Sequence, residues 1–206
     1  MDSGLAGAEG GRCVKMPPSY TPAMPKPFTS LSLHPDLLRG VNEAGYTDMT
    51  AIQEHGLPPM LDGQDVIGQA KTGSGKTAAF GLALLNTLDT TDLTPQALVL
   101  CPTRELADQV ADELRKLAKR IANTRIVTLC GGRPYRNQML ALEHGNHVIV
   151  GTPGRILKHL DKGNLRLDDV SVVVLDEADR MMDMGFIDQV QGILRWTPRK
   201  RQTLLF

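Results

Sequence analysis

The stretch AKTGSGKT, residues 70–77, decides the fold class of this chain. It lies between a short apolar run at 65–69 and a segment of helix-forming residues, which is the context of the phosphate-binding pattern G-x-x-x-x-G-K-S/T. Ala70 stands where the generic pattern has its first glycine. Gly73 and Gly75 allow backbone N–H groups to curve around an anion. The stretch predicts a loop that holds nucleotide phosphates; the alternative is a glycine-rich turn with a chance Lys-Thr pair.

Two side chains of this loop have specific expected roles. Lys76 supplies a positive charge for the β- and γ-phosphates, and Thr77 offers a hydroxyl to Mg²⁺. The helix that starts there adds the positive end of its dipole. The candidate nucleotide ligands in this loop are Ala70, Lys71, Thr72, Gly73, Ser74, Gly75, Lys76 and Thr77.

A second candidate site follows the apolar run VVVL at 172–175, which leads directly into DEAD at 176–179. Carboxylates at the tip of a buried strand are costly unless a cation pairs with them. We expect Asp176 to hold Mg²⁺ through water and Glu177 to position or activate the attacking water. Asp179 is expected to brace the loop. The alternative is an acidic first helical turn that the helix dipole favours.

Six apolar runs alternate with helical segments along the chain. They lie at 65–69, 97–101, 125–130, 147–150, 172–176 and 203–206. This alternation predicts an α/β fold, a parallel sheet with helices on both faces. Ligands of such sheets bind at the carboxyl ends of the strands.

Three helices are predicted in detail. One lies near 36–43, and one runs over 50–61 with an interruption at Pro58 and Pro59. The third is amphipathic, with apolar residues spaced by four, four, three and four. These residues are Leu106, Val110, Leu114, Leu117 and Ile121.

Composition narrows the class of protein. The 206 residues carry 23 Lys+Arg and 23 Asp+Glu, so the net charge of zero excludes a globally basic nucleic-acid binder but not a local basic track. No apolar run approaches the ~18 residues of a membrane span, and no secretory signal is visible at the N-terminus. The three cysteines are far apart, which argues against a disulfide framework. These features favour a cytoplasmic protein without membrane partners.

Residues 1–27 differ in composition from the rest. They hold five of the 13 prolines and four glycines and show almost no apolar periodicity. We expect a flexible tail at 1–27 and a single domain at 28–206.

With the loop at 70–77 and DEAD at 176–179, the chain resembles the DEAD-box RNA helicases. The resemblance covers 28–206, and the phrases at 98–113, 128–132 and 176–186 are most similar to the DbpA-type bacterial subfamily. It implies a RecA-like P-loop domain, ATP and Mg²⁺ as cofactors, and RNA as partner. The subfamily implies action on ribosomal RNA, and hence a part in ribosome biogenesis.

The phrase GYTDMTAIQ at 45–53 is similar to the family's Q motif, which reads adenine. By this resemblance Gln53 would bond the adenine edge and Tyr46 would lie against the base. Phe28, which is 45 − 28 = 17 residues ahead, stands where the family has an isolated aromatic. Met49 and Ala51 replace the usual prolines, so the loop is expected to be slightly less rigid. The alternative is that each of these side chains is an ordinary packing or helix residue with no role in binding.

Three further phrases resemble the family's RNA-backbone motifs: PTRELA at 102–107, the pair at 131–132, and TPGR at 152–155. Pro102 and Pro153 are expected to open helices whose free N–H groups take phosphates, with little base specificity. The candidate RNA ligands are Pro102, Thr103, Arg104, Glu105, Gly131, Gly132, Thr152, Pro153, Gly154 and Arg155. Each phrase alone is an ordinary helix start or turn; only their order is informative.

The family continues, after the strand that here ends at Phe206, into a Ser-Ala-Thr motif and a second RecA-like lobe with arginine fingers. The resemblance implies that this chain is the first lobe, a monomer that binds nucleotide weakly and turns it over little, since an arginine finger contributes ~10³–10⁵ in rate. Two alternatives remain: a non-catalytic nucleotide-binding module, and a P-loop ATPase or kinase unrelated to nucleic acid. The second would leave Gln53, Arg104 and Arg155 without a role.

Overall fold

The computed structural model of the chain describes residues 26–71 and 73–206, together with the backbone of residues 12–15. Within these residues it has seven strands: β1 (Arg12–Lys15), β2 (Val66–Gln69), β3 (Ala97–Leu100), β4 (Ile126–Leu129), β5 (Val148–Gly151), β6 (Val172–Leu175) and β7 (Gln202–Leu205). They form one sheet in the order β1-β2-β7-β6-β3-β5-β4, and every pairing is parallel. The predicted parallel sheet and its six strands are confirmed.

Strand β1 was not predicted. It lies inside the segment 1–27 and pairs with β2, with Arg12 opposite Val66. Residues 1–11 and 16–25 lie outside the described residues, so the flexible tail expected there stays a prediction.

Eight α-helices cover the sheet in the described part of the chain: α1 (Pro35–Glu43), α2 (Ala51–Leu61), α3 (Lys76–Asn86), α4 (Arg104–Leu117), α5 (Tyr135–Glu143), α6 (Pro153–Asp161), α7 (Ala178–Asp183) and α8 (Ile187–Leu194). The three helices predicted in detail are present as α1, α2 and α4. Across the described residues, no helix has the length and apolar character that crossing a bilayer requires.

The predicted interruption of α2 is wrong, because the helix continues through Pro58 and Pro59 to Leu61. Both prolines lie in its last third, and a proline removes a donor but keeps its carbonyl. These carbonyls accept from the N–H groups of Asp62 and Gln64 over 3.1 and 3.0 Å.

Helix α4 has the predicted amphipathic pattern. Val110, Leu114 and Leu117 are fully or almost fully buried, whereas Leu106 is partly buried. A 3-10 turn at Ala118–Arg120 follows, so Ile121 lies beyond the helix.

The core is divided between the two faces of the sheet. In β3, Ala97 and Val99 belong to the cluster under α1 to α4, while Leu98 and Leu100 belong to the cluster under α6 to α8. This alternation is the two-residue period of a strand that is buried on both faces.

Strand β7 connects the strand that carries the glycine-rich loop to the rest of the sheet, because it lies between β2 and β6. Its contacts extend beyond strand pairing. Gln202 Nε2 donates to the carbonyls of Met60 and Gln64 over 2.8 and 2.7 Å, and Thr203 N donates to Asp65 Oδ1 over 2.7 Å. These bonds fix the start of β2, and therefore the position of the loop that follows it.

Candidate nucleotide and nucleic-acid site

The glycine-rich loop joins β2 to α3. Gly73 and Gly75 have φ angles of 78° and 88°, which side chains disfavour, and Gly75 is the residue before α3 begins. Lys76 Nζ donates to the carbonyl of Ala70 over 3.0 Å and so spans the loop. The hydroxyl oxygen of Ser74 is buried and, among the described residues, has no hydrogen-bond partner. An unpaired hydroxyl in a loop that also carries an ammonium group and two left-handed glycines fits a phosphate ligand. Thr72 lies outside the described residues.

The acidic residues lie at the carboxyl end of β6. Asp176 is 3% exposed, and its N–H donates to the Leu100 carbonyl over 3.0 Å. Burial, opposed by the charge of Lys76 and reinforced by that of Glu177, raises the pKa of Asp176 to about 6. A buried carboxylate destabilised in this way is stabilised by a cation. The carboxylate of Asp176 and the hydroxyl of Thr77 line the same cleft and are oxygen donors suited to Mg²⁺.

Glu177 has an unusual backbone. Its φ and ψ are 53° and 51°, a left-handed conformation, although it is not a glycine. Its Oε2 is 3.0 Å from Arg180 Nη1 one turn later. Strained residues of this kind are concentrated at functional sites, where the surrounding structure maintains them.

A cleft of about 330 Å³ brings these groups together with one face of α4. Its lining is formed by Tyr46, Gly73, Gly75, Lys76, Thr77, Ala78, Leu106, Gln109, Val110, Glu113, Asp176 and Glu177. Gln109 and Glu113 were not predicted as site residues. They follow Leu106 at the helical spacings of three and seven, so the face that holds Leu106 and Val110 could have indicated them.

The three residues assigned to adenine are linked to this cleft. Gln53 is fully buried; its Oε1 accepts from Thr50 N over 2.8 Å, and its Nε2 donates to the Gly75 carbonyl over 3.1 Å. Phe28 is 2% exposed and packs edge-on against Tyr46, with 6.2 Å between ring centroids. The Tyr46 hydroxyl donates to Glu113 Oε1, and burial together with this carboxylate raises the pKa of Tyr46. The contacts of these residues with adenine stay a prediction.

The three expected RNA-backbone phrases follow β3, β4 and β5, which are neighbours in the sheet. Arg104 Nη1 donates to the Gly131 carbonyl over 3.3 Å, and Arg155 Nη1 donates to the Arg133 carbonyl over 3.3 Å. The structure therefore brings these three turns to one edge of the sheet. Their contacts with RNA stay a prediction.

The two helix starts differ from each other. Pro153 is the first residue of α6, as predicted. Pro102 does not open α4, which begins at Arg104. Thr103 is the capping residue instead, and its Oγ1 accepts from Leu106 N over 3.2 Å. A Ser or Thr side chain is a strong helix cap, so it moves the start beyond the proline.

A model of the DEAD/DEAH box helicase family matches residues 50–206. The chain belongs to this family. It is 57% identical over 180 residues to the ATP-dependent RNA helicase DbpA of Escherichia coli (strain K12), an alignment that covers 87% of this chain and 39% of that protein. The DEAD-box chain therefore spans about two fifths of the length of this relative.

Solved structures agree with this membership. The crystal structure of a DEAD box protein from Methanococcus jannaschii has a TM-score of 0.83 and 40% identity, and the match covers 87% of this chain and 49% of that one. The structure of S. cerevisiae Dbp5 bound to RNA and ADP BeF3 has a TM-score of 0.80 and 34% identity, over 88% of this chain and 46% of that one. These structures confirm the fold, and the 57% identity to DbpA supports the DbpA-like character of this DEAD-box domain.

Proposed function

We propose that the chain is the ATP- and RNA-binding first lobe of an ATP-dependent RNA helicase that acts on ribosomal RNA in the cytoplasm. The observation that carries this proposal is the arrangement at one edge of the sheet. The phosphate loop after β2 and the acidic end of β6 form a cleft, and the three turns after β3, β5 and β4 lie beside it. The similarity to DbpA, an ATP-dependent RNA helicase, supports RNA as the partner; the choice of ribosomal RNA rests on the resemblance to the DbpA-type subfamily alone.

In this proposal the loop at 70–77 binds the ATP phosphates. Its N–H groups and the ammonium of Lys76 neutralise their charge, and the N-terminus of α3 adds its dipole. Thr77 and Asp176 would hold Mg²⁺, Asp176 through water, and the ion would supply positive charge that lowers the cost of the charge developing on the phosphates. Glu177 accepts a proton from the water that attacks the γ-phosphate. Gln53 selects adenine by bonding to its edge.

The RNA strand is bound by its backbone. The N–H groups at the starts of α4 and α6 and the charges of Arg104 and Arg155 take phosphates, while Gly131 and Gly132 allow the strand to approach closely. Contacts of this type do not read bases, so we expect little sequence preference.

The charges of the cleft support low turnover by this chain. Among its described lining residues, Lys76 is the single cation, whereas Glu113, Asp176 and Glu177 are acidic. Phosphoryl transfer in related ATPases uses a further arginine that contributes ~10³–10⁵ in rate. In the full-length protein a second RecA-like lobe would supply this arginine. The alternative function is therefore a lobe that binds nucleotide without hydrolysing it.

Binding and hydrolysis measured on the same chain test these proposals. We expect ATP binding by calorimetry to be lost in Lys76→Ala and kept in Lys200→Ala, a change that removes an equal charge from an exposed residue. Oligouridylate should bind, and steady-state ATP hydrolysis should be close to background. Absence of RNA binding would contradict the helicase lobe. Hydrolysis that Lys76→Ala abolishes would contradict low turnover, and equal affinity for GTP and ATP would favour a P-loop ATPase unrelated to nucleic acid.

A further inference from the structure

Tyr135, at the start of α5, lies on a single face of α6. Its ring stacks on His159, with 4.3 Å between centroids and 7° between planes. The residues of α6 that surround it are spaced by three, one and three, the spacing of one helical face. They are Arg155, Lys158 and His159, with Lys162 just after the helix ends.

Three cations converge on this tyrosine. Arg155 Cζ, Lys158 Nζ and Lys162 Nζ each lie 5.5 Å from the centroid of its ring. None of the three takes part in an ion pair within the described residues. An aromatic face attracts cations, but it does not neutralise them. We call Arg155, Lys158 and Lys162 the basic strip.

The platform beneath the basic strip is held firmly. His159 is fully buried, and its Nε2 lies 3.3 Å from Gln138 Oε1. Burial, together with the charges of Arg155 and Lys158, lowers the pKa of His159 to about 4, so the ring is neutral near pH 7. Asn164 Nδ2 donates to the Tyr135 hydroxyl over 2.6 Å. Tyr135 is therefore fixed on both its face and its hydroxyl.

The helix dipole does not account for this arrangement. Lys158 and Lys162 lie near the C-terminus of α6, where a cation is favourable by about 0.3–1 kcal/mol. Arg155 lies in the first turn, where a cation is unfavourable. The nearest acidic residue in sequence, Asp161, stands at i+3 from Lys158 but forms no ion pair with it among the described residues. The three charges are therefore free to bind an anion.

We propose that the basic strip binds phosphates of a single RNA strand beyond the segment held by the three turns. This inference rests on the proposed function, because Arg155 belongs to both surfaces and makes them continuous. At 1.5 Å per residue, Arg155 and Lys162 are about 10 Å apart along α6, so the basic strip is long enough to contact more than one backbone phosphate. With one phosphate contact for each lysine, the strip lengthens the RNA site by about two nucleotides.

RNA length and salt dependence together test the proposal. The probes are oligouridylates of about six and about twelve nucleotides, a range typical of single-strand sites. In Lys158→Gln/Lys162→Gln we expect the affinity for the longer RNA to fall about 3–10-fold at low salt, with a log–log salt slope flatter by about 1.4, the value for two lost phosphate contacts. The affinity for the shorter RNA should be unchanged.

Two further variants are the controls. Arg199→Gln/Lys200→Gln removes two charges from exposed residues elsewhere and should leave both affinities unchanged. Lys158→Arg/Lys162→Arg should restore the longer-RNA affinity, since it keeps the charge. The proposal is overturned if the salt slope is unchanged in Lys158→Gln/Lys162→Gln, or if that variant loses as much affinity for the shorter RNA as for the longer one. It is also overturned if Arg199→Gln/Lys200→Gln loses as much affinity for the longer RNA, or if Lys158→Arg/Lys162→Arg does not restore it. If the unmodified chain binds neither RNA, the proposed function fails together with it.

Discussion

Gln53 donates from Nε2 to the backbone carbonyl of Gly75 over 3.1 Å, and so ties the residue assigned to adenine to the phosphate loop. The same side chain accepts from Thr50 N over 2.8 Å. Each bond uses one of the two N–H donors or one of the two lone pairs of the amide, so a second donor and a second acceptor site are left for an adenine edge. Gln53 therefore links the start of α2 directly to the phosphate loop.

The substitution Gln53→Glu tests the two hydrogen bonds independently, because it removes only one of them. Glutamate keeps the acceptor for Thr50 N but loses the donor to Gly75, and it places a carboxylate oxygen near the Gly75 carbonyl. We expect at least a tenfold loss of ATP affinity, by calorimetry, and loss of the preference for ATP over GTP. Gln53→Ala should in addition lower the free energy of unfolding by about 1–3 kcal/mol, because Thr50 N loses its partner. Retained ATP preference in Gln53→Glu would contradict adenine reading by this residue.

Gly132 and Gly131 offer a matched pair for the RNA interface. A Cβ on Gly132 would overlap Arg104 Nη1, and its φ of 73° disfavours any side chain. A Cβ on Gly131 would meet nothing within 4 Å. We expect Gly132→Ala to displace the Arg104 guanidinium and weaken oligouridylate binding about tenfold, and Gly131→Ala to weaken it less. Both variants should bind ATP with the same affinity. A larger loss of oligouridylate binding in Gly131→Ala than in Gly132→Ala would contradict this role for Arg104.

The buried ring of His159 predicts a pH dependence of stability. Because its pKa is lowered from 6.5 to about 4, the folded chain binds fewer protons than the unfolded chain between these values. The neutral ring of His159 therefore stabilises the folded chain fully above pH 6.5. This stabilisation, up to about 3 kcal/mol, is lost as the pH falls towards 4. Urea unfolding at several pH values should show it as a difference from His159→Gln. The same substitution at the exposed residue His144 should leave the pH profile unchanged.

The left-handed backbone of Glu177 can be tested by comparing glycine with alanine. Both substitutions remove the contact with Arg180, but only alanine keeps the strain of about 1–2 kcal/mol. We expect Glu177→Gly to exceed Glu177→Ala in free energy of unfolding by about 1 kcal/mol. At Asp179, inside α7, the order should reverse, since alanine is the better helix former by about 1 kcal/mol. Equal stability of the two Glu177 variants would show that the backbone relaxes.

Much of the fold could be predicted because its signals are local. Strands buried on both faces have nearly continuous apolar sequences, as in Val172–Leu175, and a strand, glycine turn and helix in succession indicate the phosphate loop. Strand β1 has no such signal. Its four residues, RCVK, are a strand because the edge of β2 is available to pair with them.

The parts of the site that escaped prediction depend on residues far apart in the chain. Gln53 and Gly75 are 22 residues apart, so their hydrogen bond appears only once α2 packs against α3. The sequence places Arg155, Lys158 and Lys162 on one helical face, but Tyr135 reaches them only through the packing of α5 beside α6. The start of α4 was predicted too early for another reason, since Pro102 was expected to open the helix that Thr103 caps.

The central position of β7 has a consequence for how the chain folds. Among the described strands it is the last in sequence, yet it separates β2 from β6. During synthesis, β3 to β6 can assemble from consecutive segments, whereas β2 must wait about 130 residues for its inner neighbour. Such long-range closure is slow and leaves strand edges exposed meanwhile. The nucleotide loop is therefore among the last features to become ordered, and a nascent chain that lacks Gln202–Leu205 presents two unpaired strand edges to chaperones or to other chains.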